Sequence, residues 1–406
     1  MLLQRAYVYR LEPTAQQETF LAQTAGACRA LYNLALEQRS LYWRPGRGIP
    51  LKSQSHELTE LRDQVDWLKA APVHALQSAL KDLDSALRNF FAGRASYPRF
   101  KRQGKGKGKG DGFHLKDKAY LGFKRLNRNK GAVRLPKIGW VKLRGLRLLG
   151  GELRNVTITR RAGHGYAAIA WQAEVADPTP SALPPVGIDR GVAILAACST
   201  GATYVAPPFF KRIEKKLAHA SRKLARQVKG CANWGKTKAR IARLHVKAAN
   251  ARRDFLQQTS LDIAKSHGAV AIDKLQVRNM SRSAKGRVEA PGRNVAAKAS
   301  LNRSILDKGW SMFATLLRYK LGDRGGELTE VPPQYTSQTC AECGSINKEG
   351  RKSQSELVCV ACGHSANADV NAARNILQAR TIAVEPAKRT TTVVGNRKRQ
   401  EEAAHA

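Results

Sequence analysis

Four cysteines near the C-terminus constrain this chain more than any other feature. Cys340, Cys343, Cys359 and Cys362 are spaced C-x2-C-x15-C-x2-C. Two such knuckles, parted by a loop of that length, can close a tetrahedral four-thiolate zinc site. A full shell of thiolates leaves no open coordination position, so the expected zinc is structural and residues 336–365 form a zinc ribbon. His364 lies next to the shell and is read as a surface residue, not a ligand. The other cysteines, Cys28, Cys198 and Cys231, are scattered, a usage that fits a reducing, intracellular compartment better than a disulfide framework.

At 406 residues the chain exceeds one hydrophobic core, and two or more domains are expected. Residues 1–10 read as a strand. Helical spacing follows in Phe20, Leu21, Ala25, Cys28, Leu31 and Leu34, with further helices over 54–70 and 72–92. Alternating Gly and Lys in "YPRFKRQGKGKGKGDGFH" (97–114) cannot pack and predicts a basic loop, in which Arg99, Lys101, Arg102 and Lys105 are candidate phosphate contacts. From 115 to 176 short alternating runs with glycine turns predict a small antiparallel barrel or sheet that includes the N-terminal strand, the helices being inserted after it. The Pro-rich "DPTPSALPP" (177–185) marks a domain boundary. Beyond it an α/β pattern begins with strands near 186–205. A long antiparallel helix pair follows, then the buried-type strand "GAVAIDKL", a polar loop over 281–297, one helix over 297–326, the strand "ELTEVPP", a helix from 369 to about 380, and a polar flexible tail at 383–406.

Lys plus Arg number 71 against 31 acids, a formal charge of +40. A solubilising surface mixes signs, whereas a surplus of this size repels itself unless a polyanion neutralises it. Nucleic acid is the natural partner, with binding that weakens steeply in salt. The helix pair concentrates the surplus: between 211 and 254 its only acids are Glu214 and Asp254, and Lys215, Lys216, Arg222, Lys223, Arg240 and Arg243 are candidate phosphate ligands. No apolar run reaches the length of a membrane span, and Arg5 sits where a signal peptide needs its apolar core, so a cytoplasmic location is expected.

Three aspartates stand out. Asp189 is in the apolar strand "VGIDRGV", Asp273 ends "GAVAID", and Asp369 begins the last helix after "SANA". Burying a lone carboxylate is costly, so each needs a partner. Asp189 can pair with Arg190, Asp273 with Lys274, and Asp369 can cap its helix. Alternatively the three converge on two Mg²⁺ ions, the arrangement that hydrolyses phosphodiesters.

The strings "QYTSQTCAECG", "CGHSANADVNAARNIL", "VGIDRGV", "YPRFK" and "AIDKLQVRNMSRSAKG" closely resemble, in order and spacing, the TnpB family of transposon-encoded proteins. The resemblance covers essentially the whole chain. It implies an RNA-guided DNA endonuclease related to compact type V CRISPR effectors, with a guide RNA and a target DNA as partners and the chain acting as a monomer. The implied fold is multidomain α+β and α/β. It comprises a wedge β-barrel (1–10 and 112–180), a helical recognition domain (11–105), and an RNase H-like (RuvC) nuclease domain (183–335 and 366–382) interrupted by the zinc ribbon. The family's catalytic Asp, Glu, Asp trio falls on Asp189, Asp273 and Asp369 as Mg²⁺ ligands. Asp273 stands where the family usually has Glu, with Lys274 replacing an acid beside it. The shorter side chain reaches about 1.5 Å less. The resemblance also makes the 281–297 loop, with Arg282, Lys285, Arg287 and Arg293, a candidate lid. The alternatives are an RNA-guided DNA-binding repressor with little or no cleavage, and a guide-free zinc-ribbon protein that assists transposition.

Overall fold

The structure, a computed structural model, describes residues 2–44, 47–103, 112–146, 150–347, 349–350, 353 and 355–384. It divides into two compact units: Met1–Asp177 with Gln227–Arg243, and Pro178–Arg226 with Leu244–Ala406. Lys105 and the tail beyond 384 lie outside the described residues.

In the first unit, strand β1 (Leu2–Glu12) leads to helix α1 (Ala15–Leu41). Thr14 starts that helix with a reciprocal cap: its side chain accepts from the Gln17 backbone N–H, and the Gln17 side chain accepts from the Thr14 N–H. Helices α2 (Leu51–Gln64), α3 (Asp66–Ala70) and α4 (Val73–Phe91) follow. The single helix expected over 54–70 is two, because Val65 between α2 and α3 is extended, at φ −125° and ψ 103°. The buried stripe of α1 (Leu21, Ala25, Cys28, Leu31, Ala35) packs with that of α4 (Leu76, Leu80, Leu83, Leu87). Each large apolar side chain so buried contributes about 2 kcal/mol.

Strands β2 (Gly112–Leu115), β3 (Gly122–Arg125), β4 (Lys130–Leu135), β5 (Gly139–Arg144), β6 (Glu152–Arg161) and β7 (His164–Glu174) join β1 in one antiparallel sheet. Its order is β2-β6-β7-β1-β5-β4-β3. The strands expected as a barrel or sheet thus form a seven-stranded sheet with β2 and β3 at its edges among the described residues. β1 is central, running against β7 from Leu2↔Glu174 to Arg10↔Tyr166 and against β5 near Glu12. The four helices are therefore an excursion between its central strand and an edge strand.

The second unit begins with β8 (Pro185–Asp189), β9 (Ala196–Cys198) and β10 (Thr203–Tyr204), then α5 (Lys211–Ala225) and α6 (Ala232–Ser266), whose first part groups with the first unit. After β11 (Ala269–Asp273) come α7 (Val277–Met280), α8 (Val295–Lys308), α9 (Trp310–Gly322), β12 (Glu327–Val331), β13 (Glu356–Val358), β14 (Ser365–Asn367) and α10 (Ala368–Val384). The one helix expected over 297–326 is broken at Gly309, which is left-handed at φ 70°. A Cβ there would also stand 3.1 Å from Arg252 Cδ and Leu256 Cδ1. No helix among the described residues is long and apolar enough to cross a membrane.

The sheet of this unit is ordered β10-β9-β8-β11-β12, with β8, β11 and β12 parallel and β9 and β10 antiparallel. Side chains alternate across it. Val186, Ile188, Val270 and Ile272 pack with Leu256, Phe313 and Leu317 from α6 and α9. On the opposite face Ala271 and Val331 pack with Ile376 of α10. The α10 backbone comes so close to β8 that a Cβ on Gly187 would stand 2.0 Å from the Ala373 carbonyl oxygen. Gly187→Ala is therefore expected to destabilise the second unit by about 3 kcal/mol. Gly235→Ala on α6, with nothing near its Cβ, should stabilise by about 0.5–1 kcal/mol. Denaturant unfolding of both variants checks the contrast; equal midpoints would refute the close seating of α10.

Candidate active site and metal centre

The two cysteine knuckles are built alike. In each, the glycine after the second cysteine is left-handed, Gly344 at φ 73° and Gly363 at φ 71°. Its N–H donates to the carbonyl of the knuckle's first cysteine, Gly344 to Cys340 and Gly363 to Cys359, each at 2.9 Å. The Sγ atoms of Cys340 and Cys362 are 3.8 Å apart, those of Cys343 and Cys359 are 3.6 Å apart, and all four lie within 4.8 Å of one another. A tetrahedron with Zn–S bonds of about 2.3 Å has sulfur–sulfur edges of about 3.8 Å. The donor set and its spacing fit zinc. The Cys359 thiol is pushed down to about 6, first by its hydrogen bond with the Cys362 backbone N–H, while the Cys362 thiol beside it is pushed up to about 12, so in the absence of metal one sulfur takes the charge at its neighbour's expense. His364 is not part of the four-sulfur group.

The ribbon continues directly into the last helix. β13 and β14 pair from Val358↔Ser365 to Glu356↔Asn367, and Asn367 then caps α10. Its Oδ1 accepts from the N–H groups of Asp369 at 3.0 Å and Val370 at 3.2 Å. The cap expected of Asp369 thus belongs to Asn367, two residues earlier. Farther along one face of α10, Asn371 accepts from Ala341 N at 2.8 Å and donates to Thr339 O at 2.7 Å. Asn375 donates to Thr336 O and Thr339 O, and Gln378 to Ala341 O. Positions 371, 375 and 378 share a face by helical spacing, and they tie the first knuckle to the helix that bears Asp369. This ladder escaped the sequence reading, although two asparagines four apart in the apolar "VNAARNIL" are a visible sign of a buried polar stripe.

The aspartates come together in part. Ile188 and Ile272 are register partners in the parallel β8–β11 pair. Asp189 and Asp273 therefore end adjoining strands and face the side that α10 covers. The partners differ from those expected. Lys274 lies just past the end of β11 and is exposed. Asp273 is held by Arg190, whose Nε donates to Oδ1 at 2.9 Å while another guanidinium N–H donates to the Asp273 carbonyl oxygen. Both side chains are buried, at 4% and 6% exposure. Burial raises the Asp273 pKa above the usual carboxylate value, with Arg190 opposing it. Asp189 and Asp369 are half-buried. Among the described residues, the four cysteines are the one set of His, Cys, Asp or Glu side chains whose ligand atoms all lie within 4.8 Å of one another. The three aspartates do not form a second such set.

Of the candidate phosphate contacts, Lys215, Lys216, Arg222 and Lys223 on α5 and Arg240 and Arg243 on α6 are exposed, as are Arg99 and Arg102. Lys101 is not a loose arm. Its backbone exchanges two hydrogen bonds with the Asn33 side chain, and its ammonium lies 3.7 Å from the Tyr32 ring centroid. In the 281–297 loop Arg282, Lys285, Arg287 and Arg293 are exposed. The loop folds on itself through Arg287 N to Ala290 O and Gly292 N to Lys285 O, and α8 holds its base by Lys298 Nζ to Met280 O.

Comparison with known proteins identifies the family. A family model described as "Probable transposase" matches residues 168–284, one described as "Cas12f1-like, TNB domain" matches 310–376, and a helix-turn-helix domain model matches 1–47. The chain is 43% identical over 378 residues to "Putative RNA-guided DNA endonuclease InsQ" of Escherichia coli (strain K12), covering 92% of each. It is 32% identical over 385 residues to a Streptomyces pristinaespiralis protein of the same named activity, covering 93% of this chain and 89% of that one. Among solved structures, the Cas12f1 chain of a complex with sgRNA and target DNA superposes with a TM-score of 0.54 at 15% identity, covering 92% of this chain and 98% of that one. That likeness is one of fold.

Two outcomes follow from the geometry. Cys343→Ser should lower bound zinc, measured by elemental analysis, from one per chain to a small fraction, and retention of full zinc would exclude the four-sulfur site. Arg190→Ala leaves Asp273 buried without its cation and should cost about 3–5 kcal/mol of unfolding free energy. The pair is absent if Asp273→Asn and Arg190→Ala prove additive in a double-mutant cycle.

Proposed function

Since the chain belongs to the TnpB family of transposon-encoded proteins, we propose that it is an RNA-guided DNA endonuclease whose nuclease centre is built from Asp189, Asp273 and Asp369. The observation that carries this reading is the in-register β8–β11 pair, which ends in two aspartates on the face covered by α10. Numbered from β8, the sheet order is 3-2-1-4-5, with the first three strands antiparallel and the last two parallel to the first. This order supports an RNase H-like, RuvC-type nuclease domain over 183–335 and 366–382 with the ribbon, 336–365, inserted. In the same reading the seven-stranded sheet is the wedge domain and 11–105 the recognition domain. A guide RNA pairs with one strand of the target, and the exposed cations of α5 and α6 hold nucleic acid by its backbone, leaving sequence choice to base pairing.

Carboxylate oxygens suit Mg²⁺, and two such ions would activate a water and hold the leaving oxygen of the cut phosphodiester. The trio does not fit that pair in the arrangement described, because Arg190 holds Asp273. The same ion pair favours a second reading, an RNA-guided DNA binder that cuts weakly.

The test is Mg²⁺-dependent cleavage of a target library with randomised flanks by protein purified with its RNA. Asp189→Ala should reduce cutting below detection while RNA still co-purifies. If the natural protein cuts no target, the nuclease reading is wrong. A large gain of cutting in Asp273→Glu would favour the weak cutter.

A further inference from the structure

The C-terminal ends of α1 and α4 form a groove of about 630 Å³ lined by rings and guanidinium groups. Trp43, Phe91 and Tyr97 are 50%, 63% and 42% exposed, and Arg44, Arg47 and Arg88 stand in the same wall. The rings are placed by the backbone. α4 ends at Ala92, and Gly93, left-handed at φ 68°, reverses the chain as its N–H donates to Phe90 O. The N–H groups of Arg94 and Ala95 both donate to Asn89 O. Tyr97 is thereby returned against Phe90, with centroids 5.1 Å apart and planes at 90°, while Phe91 meets Phe90 edge-on at 5.2 Å. Asp84, the groove's acid, is bound by Arg39 at 3.1 Å and Arg88 at 2.8 Å.

We propose that this groove is a stacking platform for an unpaired segment of RNA. Flat, exposed rings among cations match a strand that offers a π-face at each base and a charge at each phosphate. A duplex would hide its base faces. A protein partner of ordinary composition would not account for the arginines. The choice of RNA over DNA rests on the RNA-guided reading: an exposed aromatic cluster is an association hazard in the free chain, and the guide is the strand that stays bound while targets come and go.

The test uses the full chain stripped of nucleic acid in high salt and a 15-nucleotide oligouridine. Trp43 fluorescence should be quenched on binding, the signal being assigned by its loss in Trp43→Phe. The triple variant Trp43→Ala, Phe91→Ala, Tyr97→Ala should bind oligouridine at least about tenfold more weakly, with far-UV circular dichroism unchanged. The Arg44→Ala, Arg47→Ala variant should flatten the salt dependence of binding. Native affinity in the triple variant overturns the platform, as does a purely concentration-dependent self-association that the triple variant relieves. Equal quenching and equal loss with oligothymidine overturns the assignment to RNA. The RNA that co-purifies with the natural chain tests the RNA-guided reading separately: its absence sinks that reading, whereas its presence beside an unaffected triple variant sinks only the platform.

Discussion

The second unit depends on the contact between the backbone of α10 and Gly187. Any side chain at 187 would occupy the position of the Ala373 carbonyl. That approach closes one face of the five-stranded sheet with Ile376 against Ala271 and Val331. It also brings the helix that bears Asp369 onto the two strands that end in Asp189 and Asp273. The ribbon is attached to this helix at two places, through the Asn367 cap and through the ladder from Asn371 to Gln378. A structural metal site and a set of acids that are distant in sequence are thus parts of one packed arrangement.

Charge is handled differently in the interior and on the surface. Arg190 and Asp273 are withdrawn from water together, where an unpaired charge is expensive. The cations of α5 and α6 stay in solvent, where screening keeps the cost of their repulsion small until a polyanion arrives. A formal charge of +40 is compatible with folding because most of it is spread over exposed helix faces and loops.

Most of the architecture was legible from periodicity and punctuation. The N-terminal strand, the inserted helices, the Pro-rich break and the strand runs ending in Asp189 and Asp273 follow from apolar spacing and from Gly and Pro, whereas the central place of that first strand shows only in the pairing. The cysteine spacing specified its four-sulfur cluster because knuckle geometry is local. What escaped was settled by contacts remote in sequence or by single backbone angles. Pairing of Asp273 with Arg190 instead of Lys274 requires knowing that β8 and β11 are neighbours. The breaks at Val65 and Gly309 lie inside stretches whose apolar spacing continues across them. The cap passed from Asp369 to Asn367 because both residue types suit that position, and β14 ends at the earlier one.

Asn367 closes the ribbon hairpin opposite Glu356 and also opens α10. The stretch from Cys362 to Asp369 therefore acts as a ruler with no slack. One added residue within it would leave the four sulfurs free to gather but turn the following helix by about 100° relative to the ribbon. Metal binding in the ribbon and the seating of that helix are thus coupled through the length of the chain between them.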